Sequence, residues 1–315
     1  MDDYKRQLHS IVVPVYESKS SLETLIKRIA DTMHHMDVPF ELILIDDGSK
    51  DGSFDEIKRL SAHNRFIRGA RLSRNFGHQA ALTVGLRESR GEFIAIIDDD
   101  MQDPPEILPL FFEQIYNGAD VAYGIRRKRK ENFITRFFYA CFYKVLNYLS
   151  KIDIPYDSGD FCVMRRNVVD CMMQLNDAQP FLRGIRSWVG FHQVGVEYER
   201  SARVFGESGY NFRKYIELAV TGIVMFSSTP LYLATYIGLA VSIAAFSYAL
   251  FLLLYWLIKP FDVPGFLSTI LVVTLLGGIQ LVTIGIIGLY ISRLFDNTRK
   301  WPVAFVAERT DRDDK

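Results

Sequence analysis

The residues best placed to do chemistry are three consecutive aspartates, Asp98-Asp99-Asp100, which follow the apolar run FIAII at 93–97. That run reads as a buried strand. Side chains two apart in a strand point the same way, so Asp98 and Asp100 share a side. Two carboxylates on one side make a hard-oxygen site suited to Mg2+ or Mn2+, with water and phosphate oxygens completing the shell. Gln102 adds a neutral oxygen. A cation held there clamps a diphosphate and offsets charge growing on a leaving nucleotide. An Asp-x-Asp triplet alone is a weak signal, because acidic loops and caps produce it often. The strand before it and QDPPE at 102–106 after it make it specific.

Two further groups fall where strands end. FELILI at 40–45 runs into Asp46-Asp47-Gly48-Ser49, where the glycine permits a positive φ. A carboxylate there can accept hydrogen bonds from a nucleobase N–H or from ribose hydroxyls. An Asx-turn or helix cap is equally good physics for the same residues, and one aspartate can serve each role. Tyr16-Glu17 closes the run SIVVPV at 10–15. Past a third strand, Arg74 and Asn75 are placed to face sugar or phosphates, with a surface ion pair as the plainer role.

The elements that must position these groups alternate. Strands are predicted at 10–15, 40–45, 67–72, 93–97 and 120–123, with helices at 21–35, 53–62, 79–87 and 106–116. Short apolar runs alternating with amphipathic helices predict an α/β domain with a mostly parallel sheet, whose ligands sit at the carboxyl ends of the strands. The three polar groups should therefore converge in one cleft.

Composition divides the chain. Lys plus Arg and Asp plus Glu both number 37, so no excess positive charge calls for a nucleic-acid partner. Residues 231–258 and 266–292 carry no charged side chain, and each is long enough to cross a ~30 Å hydrocarbon layer. The Pro/Gly turn KPFDVPG at 259–265 makes them a hairpin rather than two buried core helices. Arg213, Lys214, Arg293, Arg299 and Lys300 flank the pair, against Lys259 alone in the turn. That bias puts the N-terminal domain and both termini in the cytosol, on an inner, cytoplasmic membrane. Gly277, Gly278, Gly285 and Gly288 invite close helix packing, and Gln280 a hydrogen bond to another helix. Segments 133–149 and 213–230 read as interfacial helices, the former equally as a packing helix. The expected organisation is thus a catalytic domain at 1–212, a juxtamembrane helix at 213–230, two membrane helices at 231–292 and a cytosolic tail at 293–315. Three cysteines, Cys141, Cys162 and Cys171, without metal-type spacing fit a reducing compartment.

PVYE at 14–17, LIDDGSKDGS at 44–53, LSRNFGHQAAL at 72–82 and IIDDDMQDPPE at 96–106 together resemble family 2 glycosyltransferases, of GT-A fold. SGDFCVM at 158–164 and the closing hairpin are similar to the polyprenyl-phosphate glycosyltransferases, especially the bacterial undecaprenyl-phosphate glucosyltransferases. The resemblance runs from about residue 10 to Trp301-Pro302. It implies that Asp98, Asp100 and Gln102 hold Mg2+ or Mn2+, and that Pro14, Tyr16, Glu17, Asp46, Asp47, Arg74, Asp98 and Asp99 line a nucleotide-sugar pocket. It further implies that Arg126, Arg203 and Ser208 lie near the phosphates, that Asp160 lies near the acceptor, and that a homo-oligomer, plausibly a tetramer, forms. Two positions depart from the family pattern. Cys162 stands where GDFRLM has arginine, and Gly209 where a lysine is usual. Arg165, Arg166 or Arg213 are the candidate replacements for the missing cations.

The reaction implied is inverting transfer of a hexosyl group from a nucleoside-diphosphate sugar, UDP-hexose by family preference, to a polyprenyl phosphate for cell-envelope glycans. Asp98, Asp100 and Asp160 would be its catalytic carboxylates. A glycan-extending family 2 enzyme would need a QxxRW-type motif, which is lacking. A non-catalytic nucleotide-sugar-binding scaffold is favoured only by Cys162 and Gly209, against an intact Asp98/Asp100 pair.

Overall fold

The computed structural model describes residues 4–127, 158–175, 177–178, 180–199, 227–258 and 265–310. Segment 133–149, Arg203, Ser208, Gly209, Arg213 and most of segment 213–230 lie outside the described residues, as does the side chain of Arg126.

The sheet is organised by β1 (His9–Val15), in which all seven residues are buried. A strand buried on both faces belongs in the middle of a parallel sheet. It pairs in parallel with β2 (Phe40–Asp46) and β4 (Phe93–Ile96), and β2 pairs in parallel with β3 (Ile67–Leu72). Helices cover the crossovers: α1 (Lys19–Met36), α2 (Ser53–His63) and α3 (His78–Glu88). In α1 the buried positions Leu22, Leu25, Ile26, Ile29 and Met33 follow helical spacing and pack onto the core around Ile11, Val13 and Leu42. The helix predicted from 106 instead starts with a 3-10 turn, Pro105–Ile107, and becomes α4 at Leu108–Tyr116.

The second half reverses direction. β5 (Val121–Arg127) is followed in the description by β6 (Ser158–Arg165), antiparallel to both β4 and β5. Then come α5 (Arg166–Gln174), α6 (Leu182–Trp188) and β7 (Gln193–Glu199), which pairs in parallel with β5 along its whole length. That pairing carries β5 past the predicted end at 123. A last strand, β8 (Val306–Arg309), lies antiparallel on β3. The eight strands run β7-β5-β6-β4-β1-β2-β3-β8, a mixed sheet with a parallel centre.

The chain divides into two compact units, and the described part of the second holds α7 (Thr229–Ile258) and α8 (Phe266–Thr298). Both are long and apolar enough to cross a membrane. Large apolar side chains such as Phe246, Ile258 and Leu281 are exposed along them, which a pair of buried core helices would not show. Tyr290 donates to the Ser227 carbonyl at 2.5 Å. Among the described residues the glycines of α8 mediate no close approach. A Cβ built at Gly277, Gly278, Gly285 or Gly288 would meet nothing within 4 Å. Gln280 is exposed, and among the described residues no hydrogen bond to its side chain is present.

Candidate active site

Strand ends deliver the groups of the site. After β1, the Tyr16 N–H donates to Asp99 Oδ2 at 3.1 Å, and Ser18 Oγ donates to the same oxygen at 2.5 Å. The Glu17 N–H donates to Ser49 Oγ at 2.9 Å, and the Asp47 N–H to the Val15 carbonyl at 2.8 Å. The ends of β1, β2 and β4 are therefore joined, as the alternation of elements required. Glu17 (φ 52°) and Met101 (φ 55°) hold left-handed conformations, which are unfavourable for side chains with a Cβ. Strain of this kind gathers at binding sites that over-determine the backbone.

The two aspartates after β2 have structural partners. Asp46 accepts from the Ser49 N–H at 3.3 Å and lies 3.4 Å from Arg71 Nε. Asp47 accepts the Phe76 N–H at 2.7 Å and the Gly77 N–H at 2.9 Å, tying down the loop that leads into α3. Burial pushes both carboxyls above their ordinary value, against these hydrogen bonds. Beside them, Arg74 stacks its guanidinium 4.1 Å from the Phe76 ring centre.

The centre of the site is a cluster that sequence reasoning only half identified. His78 Nε2 lies 3.4 Å from Asp160 Oδ2 and 3.6 Å from Asp98 Oδ1. Gln79 Nε2 donates to Asp160 Oδ2 at 3.1 Å, and its Oε1 accepts from the Leu182 N–H at 2.9 Å, fixing the amide's orientation. Arg183 Nη2 lies 3.5 Å from Asp160 Oδ1. Asp160 thus faces a histidine, an amide and a guanidinium. Burial would raise its carboxyl, but Arg183, His78 and Arg186 hold it well below the usual carboxylate range. Burial lowers His78, yet its bond to Asp160 and the charges of Asp98, Asp160 and Asp99 win, raising it to about 9. Asp98 moves up as well, opposite to Asp160. Burial carries it to about 7, opposed by His78 and reinforced by Asp103, Asp160 and Asp100.

The donor set around Asp98 fits a divalent cation. Its Oδ1 is buried and has no hydrogen-bond partner among the described residues, and the surrounding carboxylates leave it short of positive charge. Asp100 follows two residues on, and its Oδ1 accepts the Gln102 N–H at 3.0 Å, shaping the turn that carries Gln102. Among the described residues no three His, Cys, Asp or Glu side chains gather into a closed metal cage. An open site of one or two carboxylates is what Mg2+ or Mn2+ uses when phosphates supply the remaining oxygens.

Two of the suggested replacement cations are engaged by other groups. Arg165 donates to the Ala119 and Ile115 carbonyls, at 3.0 and 2.7 Å. Arg166 donates to the Gly91 carbonyl at 2.6 Å. Both donate mainly to backbone carbonyls where β6 ends and α5 begins, with Arg166 also donating to Ser89 Oγ at 3.1 Å. The cations near Asp160 and Cys162 come instead from α6. Arg186 is 2% exposed, sits 5.1 Å from the Tyr123 ring centre and neighbours the buried Cys162 thiol, which burial pushes up. Arg183 and Arg186, three apart in FLRGIRSW, share a helix face, a spacing that could have flagged them. His78-Gln79 stood inside a quoted motif at a strand's carboxyl end, and position alone could have raised them.

A family model described as Glycosyl transferase family 2 matches residues 10–173, so the chain belongs to this family. The mixed sheet with a parallel centre is the GT-A arrangement of that family. The chain is 39% identical to the uncharacterized glycosyltransferase YkcC of Bacillus subtilis (strain 168), covering 95% of this chain and 93% of that one. It is 34% identical to the bactoprenol glucosyl transferase of Shigella phage SfX, covering 95% and 99%. Among solved structures it is similar to the mannosyltransferase PcManGT from Pyrobaculum calidifontis in complex with GDP-Man and Mn2+. That match has a TM-score of 0.46 at 16% identity over 94% and 87% of the two chains.

Proposed function

We propose that this glycosyltransferase moves a hexosyl group from a nucleoside-diphosphate sugar, UDP-hexose, to undecaprenyl or another polyprenyl phosphate. The observation that carries the reading is the Asp98–His78–Asp160–Arg183 cluster at the joined strand ends, in a chain that also bears two membrane-length helices. Relatives named for bactoprenol glucosyl transfer support the lipid acceptor.

In the proposed reaction an oxygen of the acceptor phosphate attacks the anomeric carbon from the face opposite the diphosphate. The new C–O bond forms as the old one breaks, the electron pair leaves with the nucleoside diphosphate, and configuration inverts. A phosphate monoester has a second pKa of about 6, so the attacking oxygen is already anionic at neutral pH. No base of high pKa is needed. Asp160 suits that requirement, because three cations hold it ionised and make it a poor proton acceptor. Its role is to fix His78, Gln79 and Arg183, whose N–H groups then face the anions of the reaction. Asp98, Asp100 and Gln102 would hold Mg2+ or Mn2+, which when bound offsets charge on the departing diphosphate. The nucleoside lies against Pro14, Tyr16, Glu17 and the Asp46–Asp47 turn, with Asp99 buttressing the backbone of Tyr16. Arg126, Arg203 and Ser208 complete the phosphate side, α7 and α8 span the cytoplasmic membrane with both termini cytosolic, and the enzyme assembles as a homo-oligomer.

The test is transfer from a panel of UDP- and GDP-sugars to undecaprenyl phosphate in membranes containing the full chain, with the product lipids read by mass spectrometry. One hexosyl-phospholipid product from a UDP-sugar is expected. Nucleotide binding without turnover on any lipid phosphate would overturn the proposal.

A further inference from the structure

Beyond α8 the chain runs through residues 299–304 and enters the catalytic domain's sheet as β8. The attachment is dense for so short a segment. Val306, Glu308 and Arg309 pair with Leu72, Arg71 and Ala70. The Thr310 N–H donates to the Gly69 carbonyl at 2.9 Å, and the Gly69 N–H to Thr310 Oγ1 at 2.8 Å. Glu308 meets Lys58 at 2.6 Å, and Arg309 meets Glu88 at 2.8 Å.

The first residue of the segment reaches past the strand. The Phe305 carbonyl accepts the Ser73 N–H at 2.9 Å, and its ring lies 6.4 Å from that of Phe76. Ser73 opens the loop 73–77, and Phe76 stands next to its last residue, Gly77. That loop's other ties are to the turn after β2. Asp47 takes the Phe76 and Gly77 N–H groups, and the Arg74–Asn75 backbone lies directly on Gly48. His78, which bridges Asp98 and Asp160, is the next residue. The loop is therefore held at its start by Phe305 and at its end by Asp47. Phe305 itself remains 58% exposed, so it is no core residue, and its contacts serve this loop.

We infer that the segment 305–310 is a positioning element of the donor site. It fixes the 73–77 loop that sets Asp47 and His78, so nucleotide affinity depends on chain lying beyond the membrane helices. This rests on the proposed reading of the Asp46–Asp47 turn as the nucleotide pocket.

The test uses the full chain in detergent micelles, with UDP and GDP, each with Mn2+, as calorimetric probes. Amide hydrogen exchange at Phe76 and Gly77 is followed in the same samples. Phe305→Ala should weaken nucleotide binding about fivefold, the scale of one lost aromatic pair, and speed exchange at both amides. Phe305→Tyr should restore both. A chain ending at 304 should lose more, about tenfold or beyond, whereas one ending at 310 should match the wild type. Lys58→Ala removes a tie to β8 remote from the loop and should leave affinity and exchange unchanged. Unaltered affinity and exchange in Phe305→Ala would overturn the inference, as would an equal response in Lys58→Ala. Should the wild type bind neither nucleotide, the donor-pocket reading falls, and the exchange rates alone decide whether the segment holds the loop. Should the chain ending at 304 fail to fold, the Phe305 pair decides.

Discussion

His78 and Asp160 come from the first turn of a helix and from an antiparallel strand 82 positions on, and their side chains meet at 3.4 Å. The pair is an ionised carboxylate against an imidazole raised to about 9. Each holds the other in its charged form. Asp160→Asn removes the charge while keeping the shape, so His78 should lose its main reason to stay protonated. The expected result is a fall in kcat on the order of 100-fold, read from initial rates of lipid-linked sugar formation. His78→Gln should do the same, and the double variant should be no worse than either single, because the two act as a unit. Losses that multiply in the double variant would show independent roles.

Asp98 is the carboxylate of the cluster with an unpartnered buried oxygen. Its buried Oδ1 has no hydrogen-bond partner among the described residues. Asp98→Asn keeps the size and removes the anion, so Mn2+ affinity in the presence of UDP should fall tenfold or more, about 1.4 kcal/mol or greater. Calorimetry on the full chain reads this without turnover. Activity should be lost in the same variant, and chelator should abolish activity in the wild type. Unchanged Mn2+ affinity in Asp98→Asn would remove the residue from the metal site.

How much of this is legible in the sequence follows from which forces are local. The strand expected at 67–72 stands where apolar periodicity placed it, and the strand expected at 40–45 and the helix expected at 53–62 each run one residue further, because burial of a parallel centre writes itself directly into sequence. β8 did not announce itself. VAER is short and polar, and it is a strand only because β3 offers a free edge. The site divides in the same way. Asp98, Asp100 and Asp160 could be named from strand ends and motif, but Arg183 and Arg186 lie on a helix that packing alone brings to β6. The missing strand cation at Cys162 suggested Arg165 and Arg166 by proximity in sequence. Their carbonyl partners show what proximity in sequence does not reveal: both side chains hold backbone oxygens at the strand's end.

Gly48 tests the turn that supports the pocket. Its φ is +69°, and an added Cβ would stand 2.6 Å from the Arg74 carbonyl carbon and 2.8 Å from the Asn75 nitrogen. Both neighbours are backbone, so neither can rotate away. Gly48→Ala should destabilise the catalytic domain by about 1–3 kcal/mol, combining the left-handed penalty with displacement of the loop. Because that loop carries the N–H groups bound by Asp47, nucleotide affinity should fall as well. Denaturant titration of the detergent-solubilised chain gives the first quantity, calorimetry the second. Gly118→Ala is the comparison. Its φ is +103° but an added Cβ meets none of the described residues within 4 Å, so it should cost stability and leave nucleotide affinity alone.

His9 sets an acid limit on the same domain. It begins β1, is fully buried, and has Nδ1 2.8 Å from the Gln7 carbonyl and Nε2 2.7 Å from Tyr116 Oη. Burial drives its pKa down to about 4, against backbone hydrogen bonds that pull it up. The neutral ring donates from Nδ1 and accepts from the tyrosine at Nε2. In the unfolded chain the imidazole titrates near its ordinary value of about 6.5. Above that pH both states are neutral and the group costs nothing. As pH falls below 6.5 the unfolded chain takes up a proton that the folded one refuses, so stability declines. The decline ends once pH passes 4, where the folded form also protonates, and the full loss is about 3 kcal/mol. His9→Gln cannot titrate. The fall in Tm between pH 6.5 and 4 should therefore be shallower in that variant than in the wild type, whatever the variant's own stability at neutral pH. Parallel curves for the two proteins across that window would mean that His9 protonates in the folded state without penalty.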